Sequence, residues 1–363
     1  MPRFICMTAC VVLLTLQRAA FGEDCSMLYR LPSGVANFDR SVGYFAAPDD
    51  KIVALDLKTG RTIWTSTATG VPLGPIGRAL AVQLSGVQTP TIAVVEVDGG
   101  RQLFRSELVG SPAKSLCDNR YNSLVRRICE TTDQTLLIWE SDYRYAGGAP
   151  PPDFEIERQK QESRGAISID LAAKEVKIIG GRDLDARFPS DPAVQTIRSD
   201  AYWTGAAWST EPIKFGGGQW SLEITRDENA NSVILQKLDS RGAKIERSTT
   251  VAKGGHLRAQ LCLNRCHLLV YAVPSGTTSV DSDSMKVSVI SLEQGRQVAE
   301  IECARLLEFA TVAETVMYYS IAQPVVNGTR KRELVCQDLK TGRVVWKSAL
   351  RSYGTGQPPR LRP

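Results

Sequence analysis

Histidine is almost absent from this sequence, which has 2 histidines among 363 residues. This scarcity argues against a metal centre built on imidazole ligands, and no pair of cysteines has the spacing of a zinc ribbon. A serine hydrolase of the α/β class is also disfavoured, because no Gly-x-Ser-x-Gly turn leads into a helical pattern. The sequence consequently says more about the fold than about the activity.

Strong charge and long apolar runs are missing as well. The net charge is +5 at pH 7 and is spread along the chain, which is too mild and too diffuse for nucleic-acid binding. No apolar run after residue 22 is long enough to cross a bilayer, so no membrane span is expected. The composition, 43% hydrophobic and 23% charged, is that of a globular protein. Its length suffices for one large all-β domain or two smaller ones.

The first 22 residues have the features of a secretory signal peptide. Arg3 supplies a positive start, residues 5–16 form a short apolar stretch, and Ala20 and Gly22 are the small residues that a signal peptidase reads. We therefore predict cleavage after Gly22 and a periplasmic or secreted protein. No lipobox-like stretch precedes Cys25, which argues against a lipid anchor.

Cysteine is present in an odd number once the leader is removed. Two of the 9 cysteines lie in the leader, so at least one of the others is free or pairs between chains. Cys262 and Cys266 flank a predicted tight turn, where a disulfide or two reduced core thiols would fit. With His267 they also approach the spacing of a c-type haem site, which we disfavour because closely packed strands leave no room for haem. Cys117 and Cys129 are a second candidate disulfide.

One pattern occurs near both ends of the chain. Residues 54–64 read Ala-Leu-Asp-Leu-Lys-Thr-Gly-Arg-Thr-Ile-Trp, and residues 335–346 read Val-Cys-Gln-Asp-Leu-Lys-Thr-Gly-Arg-Val-Val-Trp. Each copy has the form of a β-hairpin: an apolar run, a turn whose glycine is free to take positive φ, and an alternating run that ends in Trp. Because the copies are so far apart, they indicate a repeat architecture.

Four degenerate copies of this hairpin lie between the two ends, at residues 94–104, 167–178, 234–245 and 289–299. Each copy has another strand in front of it, and several have a further strand upstream. About four antiparallel strands recur every 40–50 residues or so, which is typical of propeller blades. The sequence therefore predicts an all-β fold, a β-propeller of six or seven four-stranded antiparallel blades. The seventh blade would lie between residues 180 and 218.

Ten residues of the hairpin copies are candidates for turn formation or packing between blades. They are Asp56, Gly60, Trp64, Gly100, Phe104, Gly242, Gly295, Asp338, Gly342 and Trp346. The regular place of the aspartates in each copy favours a structural role for them.

The stretch from Tyr44 to Trp64 and its counterpart at residues 335–346 resemble the repeat of the pyrroloquinoline-quinone-type (PQQ-like) β-propellers. The resemblance implies that the glycine makes the turn between the third and fourth strands. It also implies that the closing Trp packs between neighbouring blades. It covers nearly all of the mature chain but is specific only at the two ends, so it implies fold more than function.

The resemblance also implies two kinds of function. Dehydrogenases of the family hold the quinone over a Trp floor, under a disulfide of adjacent cysteines and beside a calcium ion. This chain has no adjacent cysteine pair and is shorter than the eight-bladed enzymes. We therefore expect no cofactor and a non-catalytic protein-binding or scaffold module, as in the propeller component of the outer-membrane β-barrel assembly machinery. The alternatives are a small periplasmic oxidoreductase that uses PQQ with calcium and, more weakly, a sugar-binding or lyase-type propeller.

The predicted organisation is a leader at residues 1–22, one propeller domain at residues 23–350 and a flexible tail at residues 351–363. Residues 143–164 contain glycines, three prolines and a charged run, and we interpret them as an insertion loop. This loop is our predicted main contact with a partner, which we expect to be another exported or envelope protein. The sequence does not indicate the oligomeric state.

Overall fold

The structure is a computed structural model. It describes residues 24–87, 89–108, 124–130, 134–140, 164–187, 213–215, 220–226, 231–239, 244–254, 256–262, 267–273, 285–291, 294–303, 307–313, 315–326 and 329–354. The predicted leader, most of the predicted insertion loop and the end of the predicted tail lie outside these ranges.

Strands dominate the described residues, in agreement with the predicted all-β class. In chain order they are β1 (Asp24–Met27), β2 (Arg30–Leu31), β3 (Gly34–Ala36), β4 (Val42–Ala46), β5 (Lys51–Asp56), β6 (Thr62–Ile76), β7 (Ala79–Leu84), β8 (Thr91–Glu96), β9 (Gln102–Glu107), β10 (Leu124–Glu130), β11 (Thr135–Glu140), β12 (Arg164–Asp170), β13 (Glu175–Ile179), β14 (Ile213–Phe215), β15 (Trp220–Arg226), β16 (Asn231–Leu238), β17 (Ile245–Gly254), β18 (His256–Leu261), β19 (His267–Val273), β20 (Met285–Ser291), β21 (Arg296–Cys303), β22 (Leu307–Ala313), β23 (Val316–Val326), β24 (Thr329–Asp338) and β25 (Val344–Gly354). One short helix, α1 (Gly181–Arg187), follows β13. No helix among the described residues is long and apolar enough to cross a membrane.

The sheets are antiparallel and are built from hairpins that follow one another along the chain. Strands β14–β17, β18–β21 and β22–β25 each form a four-stranded sheet, and β10–β13 form another with β1 added at its edge. Strands β2–β9 are hydrogen-bonded to one another in sequence order. The 15-residue β6 is shared by two successive groups of strands within this order. The described groups are called here the first (β2–β6), second (β6–β9), third (β10–β13), fourth (β14–β17), fifth (β18–β21) and last (β22–β25) blade.

This succession of four-stranded antiparallel sheets confirms the predicted β-propeller class. The predicted hairpins are present as β5–β6, β8–β9, β12–β13, β16–β17, β20–β21 and β24–β25. The choice between six and seven blades stays a prediction, because residues 188–212 lie outside the described ranges.

The chain divides into two compact units. One unit comprises Met1–Leu28, Leu73–Val97 and Gln102–Ala186, and it holds the second and third blades. Within it, β1 pairs with β10 and so becomes the edge strand of the third blade. The sequence did not indicate this long-range pairing. The core of this unit consists of buried aliphatic side chains on the middle strands, including Leu80, Val94, Leu137 and Ile167.

The other unit comprises Tyr29–Pro72, Asp98–Arg101 and Arg187–Pro363. The middle strand β24 of its last blade is buried on both faces. On β24, Leu334 and Cys336 pack into a cluster with Phe45 of the first blade, whereas Val335 packs into a cluster with Leu269 of the fifth blade. Alternate residues of a strand point to opposite faces, so a strand between two blades needs an uninterrupted apolar run. This explains why the middle strands do not alternate in hydrophobicity.

The structure departs from the sequence-based expectations in three places. A helix was not expected, yet residues 181–187 form α1, which buries Leu184. The residues between predicted blades were expected to be loops, but His256 is already the first residue of β18. The last strand continues to Gly354, past the predicted end of the domain at residue 350, because Gly354 still pairs with Thr329 of the long strand β24.

Candidate interaction surface

The two end copies of the repeat form the same turn. The backbone N–H and the hydroxyl of Thr59 donate to Oδ1 of Asp56 at 2.7 and 2.9 Å. Thr341 donates in the same way to Oδ1 of Asp338, at 2.7 and 3.0 Å. The bond from the Thr59 hydroxyl is the main cause that lowers the pKa of Asp56, and the bond from the Thr341 N–H is the main cause for Asp338. Each carboxylate is thus ionised and engaged within its own turn.

The glycine of each turn has a left-handed backbone. Its φ is +71° at Gly60, +72° at Gly100 and +69° at Gly342. In the third blade, which has lost the glycine, Lys174 takes this place with φ +55°. Asp170 still accepts the N–H groups of the two residues that follow Leu171, at 2.9 and 2.8 Å. The degenerate copy therefore keeps the carboxylate of the turn and bears the strain of a left-handed non-glycine residue.

Each Trp of the repeat lies against a turn glycine. A Cβ atom added at Gly60 would be 2.5 Å from Cγ of Trp346, and one added at Gly100 would be 2.6 Å from Cε3 of Trp64. No atom of the described residues lies within 4 Å of a Cβ atom added at Gly342. The sequence placed these residues in turns and in packing between blades, and the structure joins them as Trp–Gly pairs.

The carbonyl of Leu57 connects the last blade to the first blade. It accepts the indole Nε1–H of Trp346 at 3.0 Å and the hydroxyl of Tyr318 at 3.4 Å. The rings of Tyr318 and Trp346 lie 5.9 Å apart, and burial raises the pKa of Tyr318. The N–H of Leu57 donates to the carbonyl of Ser41 at 2.8 Å, which joins the two turns of the first blade.

The turn between β3 and β4 presents an exposed aromatic side chain. Its tip is held by hydrogen bonds from the N–H and hydroxyl of Ser41 to Asp39, at 2.9 and 2.6 Å, and from the N–H of Val42 to Oδ1 of Asn37 at 2.9 Å. The hydroxyl bond is the main cause that lowers the pKa of Asp39. Phe38 lies in this turn with 53% of its surface exposed. The hydrogen bonds thus order a turn that exposes an apolar ring to solvent.

More apolar residues are exposed at the same end of the first and last blades. Ile63 is 52% exposed, and Val344 and Val345 are 47% and 49% exposed. Val345 directly precedes Trp346, whose ring lies on Gly60. Single exposed aliphatic residues are common on protein surfaces, but here three of them lie within two residues of the start of a strand, next to the repeat turns.

Exposed cations lie on or next to the same turns. Arg40, Lys58, Arg61, Lys340 and Arg343 are exposed, whereas the carboxylates of Asp39, Asp56 and Asp338 accept hydrogen bonds within their own turns. The guanidinium of Arg40 also lies 4.6 Å from the ring centre of Tyr29. The cations therefore outnumber the carboxylates. The turn surface is defined here as Phe38, Arg40, Lys58, Arg61, Ile63, Lys340, Arg343, Val344 and Val345.

A polar seam also joins the first and last blades. The buried Arg332 donates to the hydroxyl of Ser33 at 2.9 Å, and Nε of Arg351 lies 2.7 Å from a carboxylate oxygen of Asp50. The hydroxyl of Tyr29 donates to a carbonyl of the last blade at 2.8 Å. Buried arginines are stable only when they are hydrogen-bonded, so these contacts specify how the two blades dock.

The other predicted residues lie in different surroundings. Phe104 is half-buried on β9, and Gly295 is a buried turn residue with φ +61°. Gly242 lies outside the described residues. Trp139 is only 2% exposed and packs against Gly165 of the adjacent strand. It is therefore a core residue.

The cysteines only partly match the predicted pairs. Cys262 is a buried thiol that forms no disulfide, so of the two alternatives predicted for this residue the structure has the reduced core thiol. The backbone N–H of Cys262 donates to the carbonyl of His267 at 2.8 Å, and its side chain is buried in the core cluster of the fifth and last blades. Cys129 is disulfide-bonded, and its backbone lies opposite Cys25. Cys266 and Cys117 lie outside the described residues.

The turn surface contains no metal-binding constellation. Within the ranges that the structure describes, no group of three His, Cys, Asp or Glu side chains could hold a metal ion. The reduced thiol of Cys336 is buried, and burial raises its pKa to about 12. It is therefore protonated at neutral pH and is not a nucleophile.

Comparisons with known proteins concern the fold. No family model matches the chain, and no curated protein matches it. BamB from Moraxella catarrhalis is similar in structure at 11% identity, over 81% of this chain and 82% of that chain, with a TM-score of 0.31. The WD40 domain of SCAP from fission yeast is similar at 9% identity, over 92% of this chain and 90% of that chain, with a TM-score of 0.29. The AtxE2 isopeptidase is similar at 12% identity, over 93% of this chain and 54% of that chain, with a TM-score of 0.42.

Proposed function

We propose that this protein is an exported, non-catalytic β-propeller that binds another protein of the cell envelope through its turn surface. The observation that carries the proposal is the exposed ring of Phe38 on a turn held by hydrogen bonds. Large aromatic side chains are typical of binding hot spots, and a backbone that is ordered before binding loses little conformational entropy in the complex. The turn surface thus supplies an apolar anchor on an ordered turn.

The charge of the turn surface indicates the chemistry of the partner. Its cations Lys58, Arg61, Lys340 and Arg343 are exposed, whereas Asp56 and Asp338 of the same turns accept internal hydrogen bonds. A complementary partner would present an apolar pocket for Phe38 and an acidic rim. Such rim charges increase the association rate more than the affinity.

The proposed location rests on the leader-like first 22 residues, with their positive start, short apolar stretch and small residues before the cut. The proposed membership of the PQQ-like repeat class rests on the two end copies, whose turns have the same hydrogen bonds. The proposed lack of catalysis rests on the absence of an adjacent cysteine pair in the sequence. We therefore propose that the protein is an exported scaffold of the PQQ-like repeat class.

Photo-crosslinking tests the proposed surface. A photoreactive phenylalanine analogue replaces Phe38 in one variant and Val87 in a matched control, because Val87 is also exposed, at 45%, but lies between β7 and β8. Irradiation of whole cells should yield a protein adduct from position 38 that is absent from position 87. Equal adducts at both positions, or none at position 38, would contradict the proposal.

The crosslinked partner then permits a measurement of affinity. The substitution Phe38→Ser should raise Kd by a factor of about 30, since removing a hot-spot aromatic costs about 2 kcal/mol or more. The reversal Arg61→Glu should slow association and reduce its dependence on salt. A chain that lacks residues 143–163 tests the predicted contact of the insertion loop separately. Unchanged affinity of Phe38→Ser would rule out the turn surface.

A further inference from the structure

The first part of β6 has one long edge that no described strand covers. Thr62–Thr69 pair with β5 on one side. On the other side the sheet continues with β7, which has 6 residues and follows β6 after the short turn Gly77–Arg78. Because β7 has only 6 residues, it can pair in this hairpin only with Val71–Ile76, the last 6 residues of β6. The edge of Thr62–Thr69 therefore presents its backbone without a strand partner among the described residues.

The side chains of this segment divide cleanly between its two faces. Trp64, Ser66 and Ala68 are buried, and the hydroxyl of Ser66 donates to the carbonyl of Gly100. On the other face Ile63 is 52% exposed, and Thr65 and Thr67 are exposed as well. One face thus anchors the strand to the protein while the other face is available to a partner.

The segment also differs from the other outer strands in its charge. Residues 62–76 contain no Lys, Arg, Asp or Glu. Every other outer strand carries exposed charges, which are Arg105 and Glu107 on β9, Glu175 and Lys177 on β13, Glu246 and Arg247 on β17, Arg296 and Glu300 on β21, and Lys347 on β25. Exposed charges on edge strands prevent association between sheets. Only β6 lacks this protection among the outer strands that the structure describes.

We propose that Thr62–Thr69 pairs antiparallel with the same strand of a second copy of this chain, across a two-fold axis. In such a pair, opposing side chains lie on the same face and their residue numbers add up to a constant. A register centred on Ser66 pairs Ile63 with Thr69 and Thr65 with Thr67 on the exposed face. A register centred on Thr65 pairs Ile63 with Thr67, Thr65 with its own copy, and Thr69 with Arg61. Pairs of Thr and Ile are favourable across strands, and no like charges meet.

The charge next to the strand favours the antiparallel arrangement. Arg61 is exposed and directly precedes β6. In a parallel pair the two Arg61 side chains would lie side by side, whereas in the antiparallel pair they lie at opposite ends. The strand is thus complementary to a copy of itself only in the antiparallel direction. We therefore expect its partner to be a second copy of the chain rather than a charged peptide.

The mass of the full chain in solution tests the proposal. Sedimentation over a concentration series should show a monomer–dimer equilibrium for the wild type. Paired substitutions Thr65→Lys and Thr67→Lys should give a monomer, as should Thr65→Glu and Thr67→Glu, because like charges would then oppose each other in either register. An equimolar mixture of the Lys and Glu variants should restore the dimer, since opposite charges then face each other.

Two controls separate the loss of the dimer from an unspecific effect of added charge and from unfolding. Val298→Lys adds one charge at an exposed position of β21 and should leave the dimer intact. Melting temperatures near the wild-type value for the Lys and Glu variants would show that they fold. A monomeric wild type, a dimeric Lys variant or a mixture that stays monomeric would each overturn the proposal. None of these outcomes bears on binding through Phe38, so the two proposals fail separately.

Discussion

At the scale of single residues, Gly60 and Gly342 occupy the same place in two copies of one turn but have different surroundings. Both have positive φ, yet only Gly60 lies under a ring, that of Trp346. Gly342→Ala should cost roughly 1–2 kcal/mol of unfolding free energy, from backbone strain alone. Gly60→Ala should cost about 1–3 kcal/mol more, because its Cβ displaces the indole. Urea denaturation measures both, and equal losses would contradict the Trp–Gly contact.

The turn carboxylates predict a pH dependence of stability. Hydrogen bonds from Thr341 hold the folded pKa of Asp338 below its ordinary value of 3.8. A depressed pKa contributes stability above the unfolded pKa, and this contribution is lost as the pH falls through the folded pKa. The substitution Asp338→Asn cannot titrate, so its deficit relative to the wild type should shrink as the pH falls from about 7 to about 3. Denaturant midpoints at both pH values measure this, and a constant deficit would refute it.

Lys174 offers the opposite test, a gain of stability. Its side chain is exposed and its φ is +55°, a conformation that costs an ordinary residue energy. Lys174→Gly should therefore stabilise the protein by roughly 0.5–1 kcal/mol, after the greater flexibility of unfolded glycine is subtracted. Lys174→Ala is the matched control, because it removes the same charge but retains the strain. A similar gain in both variants would assign the effect to charge instead.

At the scale of elements, the carbonyl of Leu57 is the point at which the last blade bonds to the first turn. It accepts from Trp346 and from Tyr318. Trp346→Phe should cost about 1–3 kcal/mol, and Tyr318→Phe should cost less because its bond is longer. The double substitution should cost more than the sum, since the buried carbonyl would lose both donors. A double-mutant cycle by urea denaturation measures the coupling, and additive costs would contradict the shared acceptor.

The same elements show how much the sequence can predict. The hairpins were visible because Asp, Gly and Trp recur with fixed spacing, and the Trp–Gly packing follows from that recurrence. The joining of β1 to the third blade was not visible, because a pairing across about a hundred residues leaves no local pattern. Phe38 was also missed, since its turn has no repeat and its exposure depends on how the chain folds around it.

At the scale of the whole molecule, the alternative to a scaffold is a propeller that binds a quinone beside calcium. The turn aspartates Asp56 and Asp338 each use Oδ1 within their own repeat turn, as their regular place in the repeat predicts. Trp139 is a core residue, and an enclosed ring cannot form the floor of a cofactor site. Each of these residues is accounted for by folding, so the chain uses its repeat residues for structure.

We therefore expect that PQQ and calcium, alone or together, leave the melting temperature of the full chain unchanged. A ligand that binds only the folded state adds about 2.7 kcal/mol at a hundred times its Kd, which raises the melting temperature by a few degrees. The titration includes a chelator arm, because stabilisation by a quinone site of the family type would disappear when calcium is removed. A calcium-dependent rise of that size would replace the scaffold with an oxidoreductase. An unchanged, cooperative melt would leave binding through the turn surface as the function to pursue.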